Sequence, residues 1–466
     1  MDHSKPYFFC GIGGSGMLPL ACIVRAQGAE VAGSDRSLDQ GRITDKFAFL
    51  EAQGIRLFPQ DGSGVTSARQ LLVTSTAVEQ TVPDVQAARR LGAEQVSRPE
   101  LLARLFNEAA TGIAVGGTSG KSTTTGMIGW ILHRSGRVPT VMNGAVMKNF
   151  VTTETPFASA LVGRGDVFVS EVDESDGSIA LYEPGVAVLN NITLDHKSLE
   201  ELRHLFRDFA GKAKTVVLNL DDDETRLLAA TLPPERLRTF SVRHPSADLY
   251  SLGVDDGGGN IRFSVTETRS QETRMAYLPI WGAHNGQNAL AAIAACTAIG
   301  VPLADCIEAL MSFAGLRRRF EVIGERRDIT VIDDFGHNPD KIAATLQAAR
   351  TFLQGRLLVF FQPHGYGPLR MMKDELIECF ADHLQPDDHL VLSDPAYFGG
   401  TVERSVGSGD IVAGVRAAGR KAEHIPDRAA CGARLTGLAG SGDRIIVMGA
   451  RDDTLSQFAA DLLESL

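Results

Sequence analysis

No Cys-x-x-Cys pair, no run of eighteen apolar residues and no basic tract occurs in this chain of 466 residues. The six cysteines (Cys10, Cys22, Cys296, Cys306, Cys379 and Cys431) are scattered, so buried thiols are expected, not disulfides or metal ligands. The missing apolar run excludes a membrane-spanning helix. The opening stretch MDHSKPYFFCGIGG has no long apolar segment with a cleavage site, so no signal peptide is expected and the location reads as cytoplasmic. Lysine and arginine number 46 against 57 acids, a net charge of −11, which argues against a large nucleic-acid footprint. An acidic chain can still bind nucleotides through local positive sites. At 44% hydrophobic and 22% charged residues the composition is that of an ordinary globular protein. The length suits two or three domains, and there is no internal repeat or low-complexity tract.

What is present begins with Gly116–Thr124, GGTSGKSTT, between a strand-like run (111–115) and a helix-like run (121–134). Backbone N–H groups of such a loop curl around a phosphate, a lysine reaches the outer phosphates, and a following hydroxyl can bind Mg²⁺. The candidates are Gly117, Thr118, Ser119, Gly120, Lys121, Ser122 and Thr123 for nucleotide, with Ser122 also a metal ligand. The pattern G-x-x-x-x-G-K-[ST] calls for glycine where the chain has Val115, so the loop is a variant.

A second glycine turn, Gly11-Ile12-Gly13-Gly14-Ser15-Gly16, follows a strand expected over 7–10 and precedes a helix reaching about residue 26. The next strand (30–33) ends at Ser34-Asp35. Glycines here let the backbone approach a pyrophosphate, and an acid at the second strand end suits ribose hydroxyls. Further strands are expected over 166–170, 186–189 and 215–218, with a hairpin at the glycine run 257–259 and a helix over 285–299. A last block alternates strands (329–332, 356–361, 389–392, 444–448) with helices (340–350, 454–463), joined to the rest by an arginine-rich hinge at 317–319.

Acidic oxygens should accompany a P-loop that uses Mg²⁺. Glu171 ends one strand in EVDESD, and His196 follows another in NITLDH, so Glu171 and His196 join Ser122 as the metal candidates. Asn285 reads either as a helix N-cap or as a ligand. An arginine of the hinge could offset transferred phosphoryl charge.

In order along the chain, FCGIGGSGM (9–17), GSD (33–35), GGTSGKSTTT (116–125), NG (143–144), EVDESD (171–176), NITLDH (191–196), HNGQNA (284–289), RRF (318–320), DDFGHNP (333–339), FQPH (361–364) and MGARDD (448–453) resemble the Mur ligases. The branch they most resemble contains the UDP-N-acetylmuramate–L-alanine ligases and the murein-peptide ligases. The family loop G-T-x-G-K-[TS] accounts for Val115. The resemblance implies an α/β protein of three domains: a Rossmann-like UDP-sugar domain (1–107), a central P-loop ATPase domain (108–315) and a Rossmann-like acceptor domain (316–466). It implies an ATP- and Mg²⁺-dependent ligase that activates the carboxylate of a UDP-N-acetylmuramate-like substrate as an acyl phosphate and passes it to an amine or amino acid. By the same resemblance Lys121, Glu171, His196, Arg319 and His337 are catalytic, and Asn285 and Asp334 lie on the nucleotide side. Gly13, Gly14, Ser15, Gly16, Met17, Asp35 and Ser75 hold the UDP-sugar. His337, His364, Tyr366 and Arg370 form the acceptor pocket, and the chain is a monomer or homodimer.

The chain departs from the branch at Ser119, where a histidine is usual, and at Phe335 and Asn338, which replace a tyrosine and a histidine. Gly365 and Pro368 stand where two arginines would surround an amino-acid carboxylate, a natural bidentate pairing. A paralogue with altered acceptor specificity is therefore expected, with Arg370 as the candidate replacement. Two other readings remain: a catalytically silent UDP-sugar-binding paralogue, and a nicotinamide oxidoreductase built on the first glycine turn. The P-loop opposes the latter, because hydride transfer needs no second nucleotide site.

Overall fold

The computed structural model describes residues 5–75, 78–193, 198–396, 404–450 and 452–466. They form two compact units: Met1–Asp255 with Arg262–Ile280 and His284–Ala314, and Asp256–Ile261 with Trp281–Ala283 and Gly315–Leu466. Three sheets carry them.

The first unit holds two sheets. One is parallel, in the order Arg56–Phe58, Val31–Ser34, Tyr7–Cys10, Leu71–Thr74, Glu94–Ser97. Its central strand is fully buried, YFFC, as a strand covered on both faces must be. The chain leaves that strand to one side first and returns on the other, so the glycine turn after Cys10 lies at the switch point of the strand order, where open α/β sheets bind ligands.

The other sheet places Thr111–Gly116 between Val186–Leu189 and Val167–Glu171, all parallel. The P-loop, Glu171 and Asn190-Asn191 therefore emerge side by side at the carboxyl edge. Beyond Val186–Leu189 the sheet continues through Thr215–Asn219, Leu237–Ser241 and Leu249–Tyr250 to the antiparallel Ile261–Glu267 and Glu272–Leu278. One apolar cluster runs through both sheets. Phe106 is its wedge: 1% exposed, it meets the rings of Phe168 and Tyr182 edge-on at 5.7 and 5.1 Å.

The second unit has strands in the order Glu321–Arg326, Ile329–Asp334, Arg444–Gly449, Leu357–Gln362, His389–Leu392, Lys421–His424, parallel except for the first. Apolar layers cover both faces.

The expected elements match within a residue or two: the helix after the P-loop is Lys121–Arg134, and the last helix is Leu455–Ser465, shifted from 454–463. His284 is the cap of helix Asn285–Ala298, so Asn285 is its first turn and not its cap. Burial pushes the thiols of Cys10, Cys22, Cys379 and Cys431 up to about 12, so these cysteines are protonated and unreactive at neutral pH. Among the described residues no helix is long and apolar enough to cross a membrane.

Candidate functional site

The P-loop takes its shape from glycines and from a scaffold of asparagines. Gly117 and Gly120 have φ of +116° and +83°, a region other residues rarely adopt. A Cβ on Gly120 would lie 2.3 Å from Asn288 Oδ1 and 2.7 Å from Asn190 Nδ2. Asn190 Nδ2 donates to Thr124 Oγ1 at 2.9 Å and to Asn288 Oδ1 at 3.3 Å, and Asn288 Nδ2 donates to Asn285 Oδ1 at 2.9 Å. A buried amide ladder thus joins the back of the loop to Asn285. The front is held through main chain: Ser119 N–H donates to Asn191 Oδ1 at 2.8 Å, and Thr118 Oγ1 donates to Thr193 O at 3.1 Å.

Lys121 Nζ lies at the loop's mouth, 2.8 Å from Gly117 O and 2.9 and 3.1 Å from the Glu174 carboxylate. Burial alone would depress this ammonium, but Glu174, with Asp173 and Glu171 behind it, more than offsets that and holds it above its ordinary value. It is a cation at any working pH. Ser122 Oγ donates to Glu171 Oε2 at 2.7 Å. Glu171 in turn fills the space over Gly144, where a Cβ would be 1.9 Å from Oε1. Asn143 fixes that corner by donating to Ser122 O at 3.0 Å.

A hydroxyl and a carboxylate side by side, with a lysine nearby on Glu174, make the hard-oxygen, charge-compensated donor set that suits Mg²⁺ and phosphate. Ser122 and Glu171 fit the metal, and Lys121 with Gly117–Thr123 fits the nucleotide. His196 lies outside the described residues, and no group of three or more metal-ligating side chains occurs among those that are described.

At the first glycine turn, Asp35 accepts from Gly13 N–H at 2.9 Å and from Ser37 N–H at 2.8 Å. Its carboxylate therefore shapes the turn itself. Gly14, Ser15, Gly16 and Met17 line the same corner, and Ser75 follows the end of the neighbouring strand Leu71–Thr74.

Three family patterns match the chain: the Mur ligase family catalytic domain over 6–109, the Mur ligase middle domain over 115–296, and the Mur ligase glutamate ligase domain over 318–451. The UDP-N-acetylmuramate--L-alanine ligase of Nitrobacter winogradskyi is 32% identical over 97% of this chain and 96% of its own. The chain belongs to the Mur ligase family. The ligase of the same name from Agrobacterium fabrum is 34% identical over 98% and 96% of the two chains. Among solved structures, the UDP-N-acetylmuramate-alanine ligase of Thermotoga maritima superposes with a TM-score of 0.79, and a murein peptide ligase of Psychrobacter arcticus with 0.75. Each is 25% identical and covers 99% of both chains. The three-domain α/β fold follows.

In this Mur ligase the hinge arginines separate into different environments. Arg318 is buried, donating to Gly449 O at 2.7 Å and Asp452 O at 3.1 Å, with Asp333 3.5 Å away. Arg317 is exposed. Arg319 lies 4.5 Å over the Phe335 ring, so the phenylalanine that replaces a tyrosine is a stacking platform. Asp334 accepts from Phe320 N–H and Gly336 N–H at 2.7 Å and from Thr345 Oγ1 at 2.8 Å. It is a brace for the hinge.

His337 Nδ1 is 2.9 Å from Phe335 O, and its ring meets His364 edge-on at 5.1 Å. A carbonyl can only accept, so Nδ1 carries the proton and Nε2 keeps its lone pair. Burial, then Lys341, His364 and Arg319, push the imidazole well below its ordinary value. Arg370 is exposed on the helix Tyr366–Met371, whereas Arg404 lies 5.2 Å over the Tyr366 ring. Glu174, Asn288 and Arg404 join these groups without having stood out in the sequence. Glu174 stood within EVDESD and Asn288 within HNGQNA, but neither motif says which residue grips the loop.

Proposed function

We propose that this Mur ligase couples ATP hydrolysis to amide formation between the carboxylate of a UDP-N-acetylmuramate-like acid and an amino acid or peptide amine. The observation that carries the reading is the Lys121 ammonium at the P-loop mouth beside the Ser122–Glu171 pair. A carboxylate is a poor electrophile, and phosphorylation gives it a leaving group. The carboxylate oxygen attacks the γ-phosphorus and the bond to ADP breaks. The amine then attacks the acyl carbon, and phosphate leaves from the tetrahedral intermediate.

Lys121 and the loop N–H groups bind the phosphates and offset the charge that shifts to the leaving ADP. Ser122 and Glu171, with His196, would hold Mg²⁺, and the ion would supply charge neutralisation to the phosphates when bound. Asn285 lies on the adenine side of the loop, and Arg319 adds positive charge in the acceptor domain. His337 Nε2 keeps its lone pair at working pH and can accept a hydrogen bond from the incoming amine. The domains divide as 1–107 for UDP-sugar, 108–315 for ATP and 316–466 for acceptor. The glycine turn with Asp35 and Ser75 holds the nucleotide-sugar, and His364, Tyr366 and Arg370 border the acceptor. Free thiols fit a cytoplasmic location. Murein-peptide ligases on the same fold support an acceptor other than alanine.

The test is ADP release with ATP, Mg²⁺, UDP-N-acetylmuramate and a panel of amino acids and peptides. Turnover should require acid and amine together, and Lys121→Ala should abolish it while UDP-sugar binding persists. No ADP from any pair would instead favour a silent paralogue.

A further inference from the structure

The helix Arg98–Asn107 is fixed at both ends. At its start Ser97 and Glu100 form a capping box, with Ser97 N–H donating to Glu100 Oε2 at 2.8 Å. At its end Phe106 is wedged against Phe168 and Tyr182, and Asn107 donates to Leu181 O and accepts from Glu183 N–H, both at 2.9 Å. Arg98, the first helical residue, is thereby held against the glycine turn. A Cβ on Gly16 would lie 3.0 Å from Arg98 Cδ, 3.3 Å from Nε and 3.4 Å from Nη1. A methyl group at the last glycine of the turn would press on this arginine by a few tenths of an ångström.

The guanidinium is under-used. It has five N–H donors, and its side chain is only 25% exposed. Yet among the described residues it makes no hydrogen bond, and its ion pair with Asp176 is 3.9 Å long. Asp173 adds attraction at longer range, but neither acid bonds the fork directly, so an anion that did would complete the site. The turn it leans on already carries one cation at its other end, Lys46, whose Nζ lies 3.4 Å from Gly13 O.

We propose that Arg98 binds the diphosphate of the nucleotide-sugar, an assignment that rests on the reading of residues 1–107 as the UDP-sugar domain. The planar fork suits two phosphate oxygens better than a lysine would. Asp176, on the loop that follows Glu171 and carries Glu174, then serves as the weak partner that the diphosphate displaces.

Calorimetric titration of the full chain with UDP, UMP and UDP-N-acetylmuramate tests this. Arg98→Ala should weaken UDP by about 10- to 100-fold, and UMP by less, with ATP affinity unchanged. Arg98→Lys should recover part of the loss, and Asp176→Asn should bind UDP at least as tightly as wild type. Equal UDP binding by wild type and Arg98→Ala overturns the assignment. So does an equal loss in Asp176→Asn, which would make the ion pair a structural support. If only UDP-N-acetylmuramate weakens, the arginine serves the acid group and the diphosphate assignment fails. Wild-type protein that binds no UDP overturns the UDP-sugar domain itself, and Arg98's role with it.

Discussion

Gly144→Ala adds one methyl group, and the structure says where it must go. The new Cβ would sit 1.9 Å from Glu171 Oε1, 2.9 Å from Cδ and 3.3 Å from Oε2. An oxygen that close has to retreat by on the order of 1 Å to reach van der Waals contact. Moving Oε1 moves the same carboxylate that accepts the 2.7 Å bond from Ser122 on Oε2, so that pairing is disturbed. Gly144 is exposed and is not among the residues with positive φ, so alanine costs the backbone nothing and the fold should melt as before. A displacement of about 1 Å at a reacting centre costs roughly 100-fold in rate. The expected outcome is therefore a kcat lower by about two decades, a raised Mg²⁺ requirement and an unchanged melting temperature. Steady-state ADP release over a Mg²⁺ titration, with a thermal melt in parallel, measures all three. A variant with wild-type kcat and Mg²⁺ dependence would refute the placement of Glu171 as a metal-site oxygen held by Ser122.

Glu174→Gln should tighten ATP by roughly fivefold, about 1 kcal/mol, because the carboxylate that grips Lys121 at 2.9 Å competes with phosphate. Calorimetry reads it, and weaker binding would make Glu174 part of the nucleotide seat instead. His337 is neutral above its folded value, which lies well below 6.5, so its basic form is lost only as pH falls through that depressed value. The rate at saturating amine should thus stay level as pH drops through 6.5, and His337→Gln should cost about 10²- to 10⁴-fold. A midpoint at or above 6.5 that disappears in His337→Gln would contradict the burial argument.

Much of the architecture could be read from local pattern. Tyr7–Cys10, Lys121–Arg134 and Val186–Leu189 fall where apolar runs and glycine punctuation put them, because strand and helix periods are short-range properties. Lys121 and Ser122 were legible because they open a helix directly after a glycine loop, and Glu171 because it ends a recognisable strand. Glu174 on Lys121 and Asn288 on Thr124 join residues 53 and 164 positions apart, and no periodicity records such a contact. Asp35 shows a different gap. Its type suggested a ligand for ribose, whereas its two oxygens hold the backbone of Gly13 and Ser37. Carboxylate chemistry was legible there, but not what the carboxylate touches. The arginine run 317–319 was one charge cluster in sequence and resolves into a buried tie, a ring-stacked cation and an exposed side chain.

The serine at 119 can be understood from the way the P-loop is pinned. The loop draws on this position through its peptide group alone: the N–H goes to Asn191 Oδ1, and the carbonyl receives the amides of Asn191 and Asn190 at 3.3 and 3.5 Å. Its neighbour Gly120 faces a wall of amide groups that admits no side chain at all. The two adjacent positions are thus under opposite constraint. One must stay bare, while the other is free to drift, and a histidine or a serine there leaves the loop's shape as it is. The substitution that marks this chain as divergent is one that its phosphate loop can absorb without changing its form.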